Sequence, residues 1–277
     1  MGKFGKYGGD RLLPGDTGQG ANKVPTVNVR DAIARAEAKA DAAGQRDFER
    51  LIHGDPAKIA IALDATGSMA DLLRSARTSI SEIIGRATIE AGRPIEIEIF
   101  VYRDYDVPRK LLERSGASPD AQRLSQWLAR VTPDGGGGND GEAVEAALAA
   151  ILDNGTFSAV LLAGDEPSNS AASLAEAGRR NDRSALACAQ ALGRQQIPVH
   201  TFVVGNYART IEDFAAIAKA SGGKTGRLDG SAEMTDLAVM AILARLKGVD
   251  AVRSYMASRS LPPNSRNFGQ LLLGQSK

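Results

Sequence analysis

Short apolar runs alternate with amphipathic segments along the chain from residue 58 onward. The segments that resemble strands are KIAIALD, PIEIEIFVYRD, FSAVLLAG and IPVHTFVVG, with RKLLERSG as a short edge strand and GKTGRLD as a weak one. Three of these are mostly apolar, which is typical of strands covered on both faces, whereas PIEIEIFVYRD alternates with period two. The pattern therefore predicts strands that lie inside a layered fold.

Helical segments separate these runs. After KIAIALD, apolar residues recur at helical spacing from Met69 to Ala87. Similar spacing marks AQRLSQWLARV, EAVEAALAAIL, RSALACAQALGRQ, TIEDFAAIAKAS and a last long helix from Ala232. Strands separated by helices predict an α/β fold: a doubly wound, mostly parallel open sheet with helices on both faces and with extensions at both ends of the chain.

The composition of the ends differs from that of the middle. Residues 1–27 are rich in glycine and have no apolar face, so we expect a flexible arm. Residues 28–56 are rich in alanine and charge, which predicts a helical extension with a thin apolar stripe. Residues 57–256 would form the main domain. Residues 257–277 would form a tail in which two prolines prevent a helix and Phe268 is an apolar anchor.

Charge and cysteine content limit the classes of function. Lys and Arg number 34 against 33 Asp and Glu, a net charge of +1, so the overall charge favours neither nucleic acid nor an anionic membrane as partner. The single cysteine, Cys188, excludes an internal disulfide and a cysteine-based structural zinc. No apolar run reaches the roughly 18 residues of a membrane span, and the start of the chain lacks a signal-peptide core. We expect a cytoplasmic protein whose binding is local.

A polar cluster follows the first predicted strand. Asp64, Thr66 and Ser68 stand within five residues in IALDATGSMADLL. In doubly wound sheets, ligands bind beyond the carboxyl ends of the strands, where the winding reverses, and this cluster would lie there. The alternative is an ordinary helix N-cap, in which Thr66 or Ser68 accepts hydrogen bonds from the first turn.

Two further loops should reach the same edge of the sheet. TPDGGGGNDGEAV offers Asn139 and Asp140 on a backbone that glycines free to turn tightly, and LLAGDEPS offers Asp165 and Glu166. The glycine run could also be a flexible turn or a phosphate cradle, although it lacks the Walker lysine. The acids of LLAGDEPS could be solvated loop charges. Oxygen ligands without His or Cys suit a hard cation, with Mg²⁺ first and Mn²⁺ or Ca²⁺ behind it.

The segment Asp64-Ala65-Thr66-Gly67-Ser68 resembles the D-x-[ST]-x-S signature of von Willebrand factor A (vWA) domains, which marks their metal-ion-dependent adhesion site. The glycine-rich loop and Asp165 follow in the family's order, and the resemblance covers about residues 58–247. It implies direct metal binding by Thr66 and Ser68, with Asp64 and Asp165 in supporting roles. In the glycine-rich loop, either Asn139 or Asp140 would complete the site.

The resemblance also implies a function. Such domains are non-catalytic protein-interaction modules, in which an acidic side chain of a partner completes the metal shell. Arg103, Asp104 and Glu166 would then lie on the rim that contacts the partner, although Arg103 and Asp104 could instead form a structural pair. Intracellular members often act as adaptors beside a MoxR-type AAA+ ATPase, a protein kinase or a larger assembly.

Two other functions compete with this hypothesis. In the first, the chain is a scaffold subunit whose adhesion site is inactive and whose terminal arms make the contacts. The second, less favoured, is a Mg²⁺-dependent phosphohydrolase, because Thr66 occupies the place where the haloacid-dehalogenase pattern has a second aspartate. A serine hydrolase would need G-x-S-x-G, which ATGSM does not match. We therefore expect a chain that is not an enzyme.

Overall fold

A computed structural model describes residues 54–136 and 141–274, together with Ala38. The chain divides into two units between Phe48 and Glu49, and the sheet and helices described here belong to the second unit, Glu49–Lys277. The predicted arm, 1–27, lies outside the described residues. So does the predicted extension, 28–56, except for Ala38, which is helical, and residues 54–56, which lead into the first strand.

The described strands form one sheet, and helices connect them. The strands are β1 Ala57–Asp64, β2 Ile95–Tyr102, β3 Leu112–Arg114, β4 Ala159–Gly164, β5 Val199–Val203 and β6 Thr225–Arg227. The helices are α1 Ala70–Ala91, α2 Ala121–Leu128, α3 Val144–Asn154, α4 Ala171–Glu176, α5 Ala185–Arg194, α6 Ala208–Ser221, α7 Ser231–Leu246, α8 Val249–Ala257 and α9 Pro263–Leu272. Short 3-10 turns occur at Gly67–Met69 and Pro108–Lys110.

The order of strands in the sheet is β3, β2, β1, β4, β5, β6. All neighbours are parallel except β3, which pairs antiparallel with β2 at the edge. The chain passes from β1 through α1 to β2 on one side of β1 and later returns to β4 on the other side. The winding therefore reverses beside β1, and the predicted doubly wound, mostly parallel fold is confirmed.

Both faces of the sheet are covered. On β1, Ile59, Ile61 and Leu63 pack into a core with residues of α1 and α7. Ala60 and Ala62 point to the opposite face, into a core with residues of α3, α5 and α6. A strand buried on both sides has no polar face to alternate with, which explains the continuous apolar run that the sequence shows.

The C-terminal segment is part of the fold, so the prediction that its prolines prevent a helix is wrong. Pro263 occupies the first turn of α9, where its missing N–H has no intrahelical partner to lose. Phe268 is 1% exposed, and its ring packs edge-on against Phe202 at 5.4 Å and His200 at 5.9 Å between ring centroids. Because α9 packs against β6, it covers the edge of the sheet.

Among the described residues, no helix combines the length and the apolar character that a membrane crossing requires.

The packing of α9 predicts that Phe268→Ala lowers the free energy of unfolding by about 3 kcal/mol, since it removes a buried aromatic ring and leaves a cavity. Urea unfolding of the full chain measures this difference. The control is Ile89→Ala, at a residue that is 80% exposed, and it should change stability by less than about 0.5 kcal/mol. Equal stability of the Phe268 variant and the wild type would contradict the packed position of α9.

Candidate metal centre

The loop after β1 and the glycine-rich loop are hydrogen-bonded to each other. The N–H of Asp134 donates to the carbonyl of Ala65 at 3.0 Å, and the N–H of Gly67 donates to the carbonyl of Gly135 at 3.2 Å. Gly135 and Gly136 both have positive φ, which glycine adopts without steric cost. A Cβ placed on Gly136 would lie 2.8 Å from Cβ of Thr66, so a side chain there would collide with the first loop.

The third loop approaches the same place from β4. Gly164, the last residue of β4, is a neighbour of Asp64: a Cβ on it would be in ordinary contact, 3.4 Å, with the Cβ of that aspartate and would collide with the hydroxyl of Tyr102 at 2.6 Å. Asp165 follows directly and is partly buried. Its position is held from the other side, because the hydroxyl of Thr210 in α6 donates to the backbone carbonyl of Asp165 at 2.7 Å. The structure thus brings Asp64, Thr66, Ser68 and Asp165 together at the carboxyl ends of β1 and β4.

Asp64 is fully buried, and only half of its carboxyl group is paired. Oδ1 accepts hydrogen bonds from the N–H and the hydroxyl of Thr66, both at 2.8 Å. Oδ2 is buried and no hydrogen-bond donor among the described residues reaches it, so that without a metal only a proton shared with the carboxyl group of Asp165 can pair it. A buried oxygen that lacks a donor is costly, and a bound cation would remove that cost.

The two hydroxyls next to Asp64 are not used for helix capping. Thr66 precedes the 3-10 turn, and within the described chain neither its side chain nor that of Met69, which precedes α1, makes a capping hydrogen bond. The hydroxyl oxygens of Thr66 and Ser68 lie 3.4 Å apart, and Ser68 is exposed. The N-cap alternative therefore finds no support. The Thr66 hydroxyl donates to Asp64, and its oxygen and that of Ser68 can still accept from or bind a ligand.

The pKa values of two buried carboxyl groups in this region are raised. Burial raises the pKa of Asp64 from its ordinary value of 3.8 to about 7, against the lowering effect of its Thr66 hydrogen bonds, and the nearby charge of Asp165 raises it further. Burial also raises the pKa of Glu142 to about 9, and the charges of Asp64, Asp104 and Asp165 add to this shift. Carboxyl groups held this close disfavour each other's ionised form, and a divalent cation would reverse that preference.

Asn139 and Asp140 lie outside the described residues. That one of the two completes the site therefore stays a prediction. The described part of this loop ends at Gly136, which lies against Thr66.

Arg103 and Asp104, predicted for the partner-binding rim, are buried in the structure. The guanidinium of Arg103 donates to the carbonyls of Lys110 and Thr132 at 2.6 and 2.7 Å and to Glu113 Oε1 at 2.8 Å. It thereby ties the end of β2 to β3 and to the glycine-rich loop. Asp104 accepts a hydrogen bond from the side-chain amide of Asn169 at 2.9 Å. We leave both residues out of the contact surface.

Glu166, the third predicted rim residue, is partly buried in the loop after β4. It adjoins Asp165 and stays in the proposed contact surface.

Three buried residues near the site were not predicted from the sequence: Glu142, Glu145 and Asn169. Glu145 accepts hydrogen bonds from the hydroxyl of Tyr105 at 3.0 Å and from the N–H of Asn169 at 3.3 Å. In the sequence, the two glutamates resemble acids of an exposed first helical turn, where negative charge is common. Only the packing of the three loops shows that they are inside.

Within residues 54–136 and 141–274, no group of three or more His, Cys, Asp or Glu side chains forms a metal ligand set by itself. The predicted set includes two hydroxyls and one residue of the glycine-rich loop beyond Gly136. Its chemistry is nevertheless that of a hard-cation site, since every donor is an oxygen and both Asp64 Oδ2 and Asp165 Oδ1 are buried without a partner among the described residues. The residues that are present fit Mg²⁺.

No family model matches the chain, and no curated protein matches it significantly. Solved structures do match. BatB from Bacteroides thetaiotaomicron is 16% identical and has a TM-score of 0.48, over 73% of this chain and 100% of that one. A von Willebrand factor type A structure from Catenulispora acidiphila is 15% identical and has a TM-score of 0.47, over 69% and 43%. The VWA domain of SpRpn10 is 6% identical and has a TM-score of 0.47, over 66% and 95%.

At these identities the likeness concerns the fold alone. The doubly wound α/β fold that the sequence predicts is shown by the order of strands in the described sheet itself. Because the TM-scores are below 0.5, we draw nothing about ligand or partner from these proteins.

The raised pKa of Asp64 predicts that the metal-free protein loses stability as the pH rises. The folded state keeps a proton on Asp64 up to about pH 7, whereas the unfolded state releases it near 3.8. The free energy of unfolding in EDTA should therefore fall between about pH 4 and 7, by roughly 1.4 kcal/mol for each pKa unit of the shift.

Urea unfolding across this pH range, with Asp64→Asn beside the wild type, measures the effect. The variant should have a smaller slope, because it removes the group that titrates. The control is Asp71→Asn at an exposed carboxyl of α1, which should keep the slope of the wild type. An unchanged slope in the Asp64 variant would contradict the assignment.

Proposed function

We propose that this chain is a metal-dependent protein-interaction module of the vWA type, which binds an acidic side chain of a partner through Mg²⁺. The observation that carries the proposal is the arrangement at the end of β1. There a buried aspartate has one oxygen that no donor among the described residues reaches, and two adjacent hydroxyls 3.4 Å apart make no capping bonds within the same part of the chain. This arrangement lies where the winding of the sheet reverses, which is the usual ligand position in such folds.

Each residue has a role in this proposal. Thr66 and Ser68 bind the cation through their hydroxyl oxygens, and Asp64 and Asp165 support it with carboxylate oxygens. Asn139 or Asp140 supplies the remaining group from the glycine-rich loop. Mn²⁺ or Ca²⁺ could replace Mg²⁺, since all three prefer oxygen ligands.

The hydroxyls explain why the site would bind a partner. A bound cation supplies Lewis acidity that attracts an outside carboxylate, and neutral hydroxyls reduce this attraction less than carboxylates would. Ser68 is exposed, so its side of the site is open to another molecule. Glu166 lies in the loop that borders the site and would contact the same partner.

The adaptor role and the cytoplasmic location belong to the same proposal. The family resemblance favours an intracellular complex, with a AAA+ ATPase or a protein kinase as candidate partner. We propose a binding function without catalysis, because the described site combines hydroxyls and carboxylates with no histidine in its three loops.

The scaffold alternative loses part of its support. It requires terminal arms that are available for contacts, and residues of the C-terminal segment instead pack inside the fold, with Phe268 almost completely buried.

Affinity capture from the native cell extract tests the proposal, with the full chain as bait in Mg²⁺ and in EDTA. A partner should be captured by the wild type in Mg²⁺ and lost in EDTA. It should also be lost with Asp64→Ala and Thr66→Ala in Mg²⁺, because these variants remove metal ligands. Thr78→Ala is the matched control, since it deletes an exposed hydroxyl of α1 far from the loops, and it should keep the partner.

Capture of the same proteins in every lane would support the scaffold alternative and contradict the proposed function. Circular dichroism of each bait must show that the variants are folded.

A further inference from the structure

The outer side of β6 is only partly covered by its neighbours. In the described sheet, β6 pairs with β5 on one side and has no strand on the other. The helix α9 packs against β6 from one face of the sheet, and α6 packs against it from the other. A groove of about 240 Å³ remains between them, lined by β6 itself, by Ile211 of α6 and by Phe268 and Leu271 of α9. We call it the β6 groove.

The backbone of β6 presents hydrogen-bonding groups to this groove. The ladder with β5 uses every second residue: Lys224 accepts from the N–H of Thr201, and Leu228 donates to β5, both at 3.0 Å. The N–H and C=O of the residues between them point to the opposite side of the strand. Those residues are Thr225 and Arg227, and among the described residues their backbone groups bond to no other element.

The side chains of these two residues do not close the groove. The hydroxyl of Thr225 donates to the carbonyl of Phe214 in α6 at 3.4 Å, and the guanidinium of Arg227 donates to the carbonyl of Gly205 at 3.0 Å. Both side chains therefore turn toward one face of the sheet. Proteins commonly protect an edge strand with charges or with another element, and here part of the edge lacks that protection.

We propose that the β6 groove docks an extended segment of a partner protein, which adds to the sheet as a further strand beside β6. The groups on offer are N–H and C=O groups at alternate residues, and the backbone of another strand is their complement. An apolar side chain of the segment would lie against Ile211 and Leu271, because side chains of a strand alternate between its two faces. This site needs no cation and goes beyond the proposed function.

The shape of the groove favours a separate segment over a second copy of this chain. The edge of β6 lies between two helices, and a slender extended peptide can enter there. In a second copy, β6 is flanked by the same two helices, which would collide with those of the first copy before the strands could pair.

Random linear peptides displayed on phage are the probe, selected on the full chain in EDTA. Amide hydrogen exchange of the chain is then measured with and without each selected peptide. The amides of Thr225 and Arg227 should exchange at least about tenfold more slowly with the peptide, because each then donates to the added strand. The amide of Gly226 points to β5 and is the internal control, since it should be protected in both states.

Arg227→Pro tests the hydrogen bonds directly. It removes an outward N–H and leaves the ladder with β5, as proline does on edge strands. It should weaken peptide binding at least about tenfold, because a carbonyl of the peptide loses its donor. Arg227→Ala is the matched control: it removes the side chain, keeps the N–H, and should hold the affinity within about threefold of the wild type.

Ile211→Ser tests the apolar wall. Ile211 is 37% exposed, so the variant should fold and should weaken peptide binding about threefold or more. Ile89→Ser, at the 80% exposed residue of α1, is its control and should bind as the wild type does. The melting temperature of each variant reports the fold separately.

Each outcome decides the inference. Slower exchange at Thr225 and Arg227 together with weaker binding by Arg227→Pro supports it. If no selected peptide slows these amides, or if a folded Arg227→Pro keeps the affinity of the wild type, it is overturned. If Arg227→Pro does not fold, amide exchange and Ile211→Ser decide it.

Two further results separate this inference from its alternatives. If sedimentation shows a dimer of the chain whose formation protects the same amides, the occupant is a second copy and the partner segment is overturned. Because every measurement is made in EDTA, failure here leaves the proposed metal-dependent function standing, and failure of that function leaves the β6 groove standing.

Discussion

The buried carboxyl group of Asp64 is the constraint on which the rest of the site depends. A carboxylate removed from water is strongly destabilising unless its oxygens are paired or neutralised. Thr66 satisfies one oxygen with two hydrogen bonds, and the other has no partner among the described residues. Two further acids, Asp165 and Glu142, raise the electrostatic cost instead of lowering it. The divalent cation that we propose would pair the remaining oxygen of Asp64 and offset the repulsion between Asp64 and Asp165.

The sheet supplies the geometry that this cluster needs. Parallel strands end at a common edge, and the reversal of winding beside β1 separates the helices there, so three loops meet over one point. Glycine makes the meeting close: Gly136 lies against Thr66, and Gly164 lies against Asp64. A larger residue at Gly136 would push the first two loops apart, whereas one at Gly164 would collide with the hydroxyl of Tyr102. The apolar core on both faces of β1 holds this edge in place and thereby connects the packing of the domain to its proposed function.

Periodicity and composition were enough to predict the strands, most helices and the meeting of the three loops, because these features depend on local pattern and on the topology of parallel sheets. They failed where a long-range contact decides the outcome. Pro263 begins a helix because the docking of Phe268 stabilises α9 on the edge of the sheet. Arg103 looked like a rim residue but is enclosed by acceptors of the following edge strand and its turn, Lys110 and Glu113, and by the carbonyl of Thr132, which is 29 residues away. Glu142 looked like an exposed helical acid, and only the position of Gly136 shows where its carboxyl group lies.

The most direct test of the metal centre is a crystal structure of the full chain grown with Mn²⁺, in which anomalous scattering locates the ion. The account predicts one Mn²⁺ within bonding distance, roughly 2.0–2.3 Å, of the hydroxyl oxygens of Thr66 and Ser68, with carboxylate oxygens of Asp64 and Asp165 around it. An ion elsewhere, or Asp64 Oδ2 satisfied by a side chain of the protein in place of a metal or its water, would contradict it.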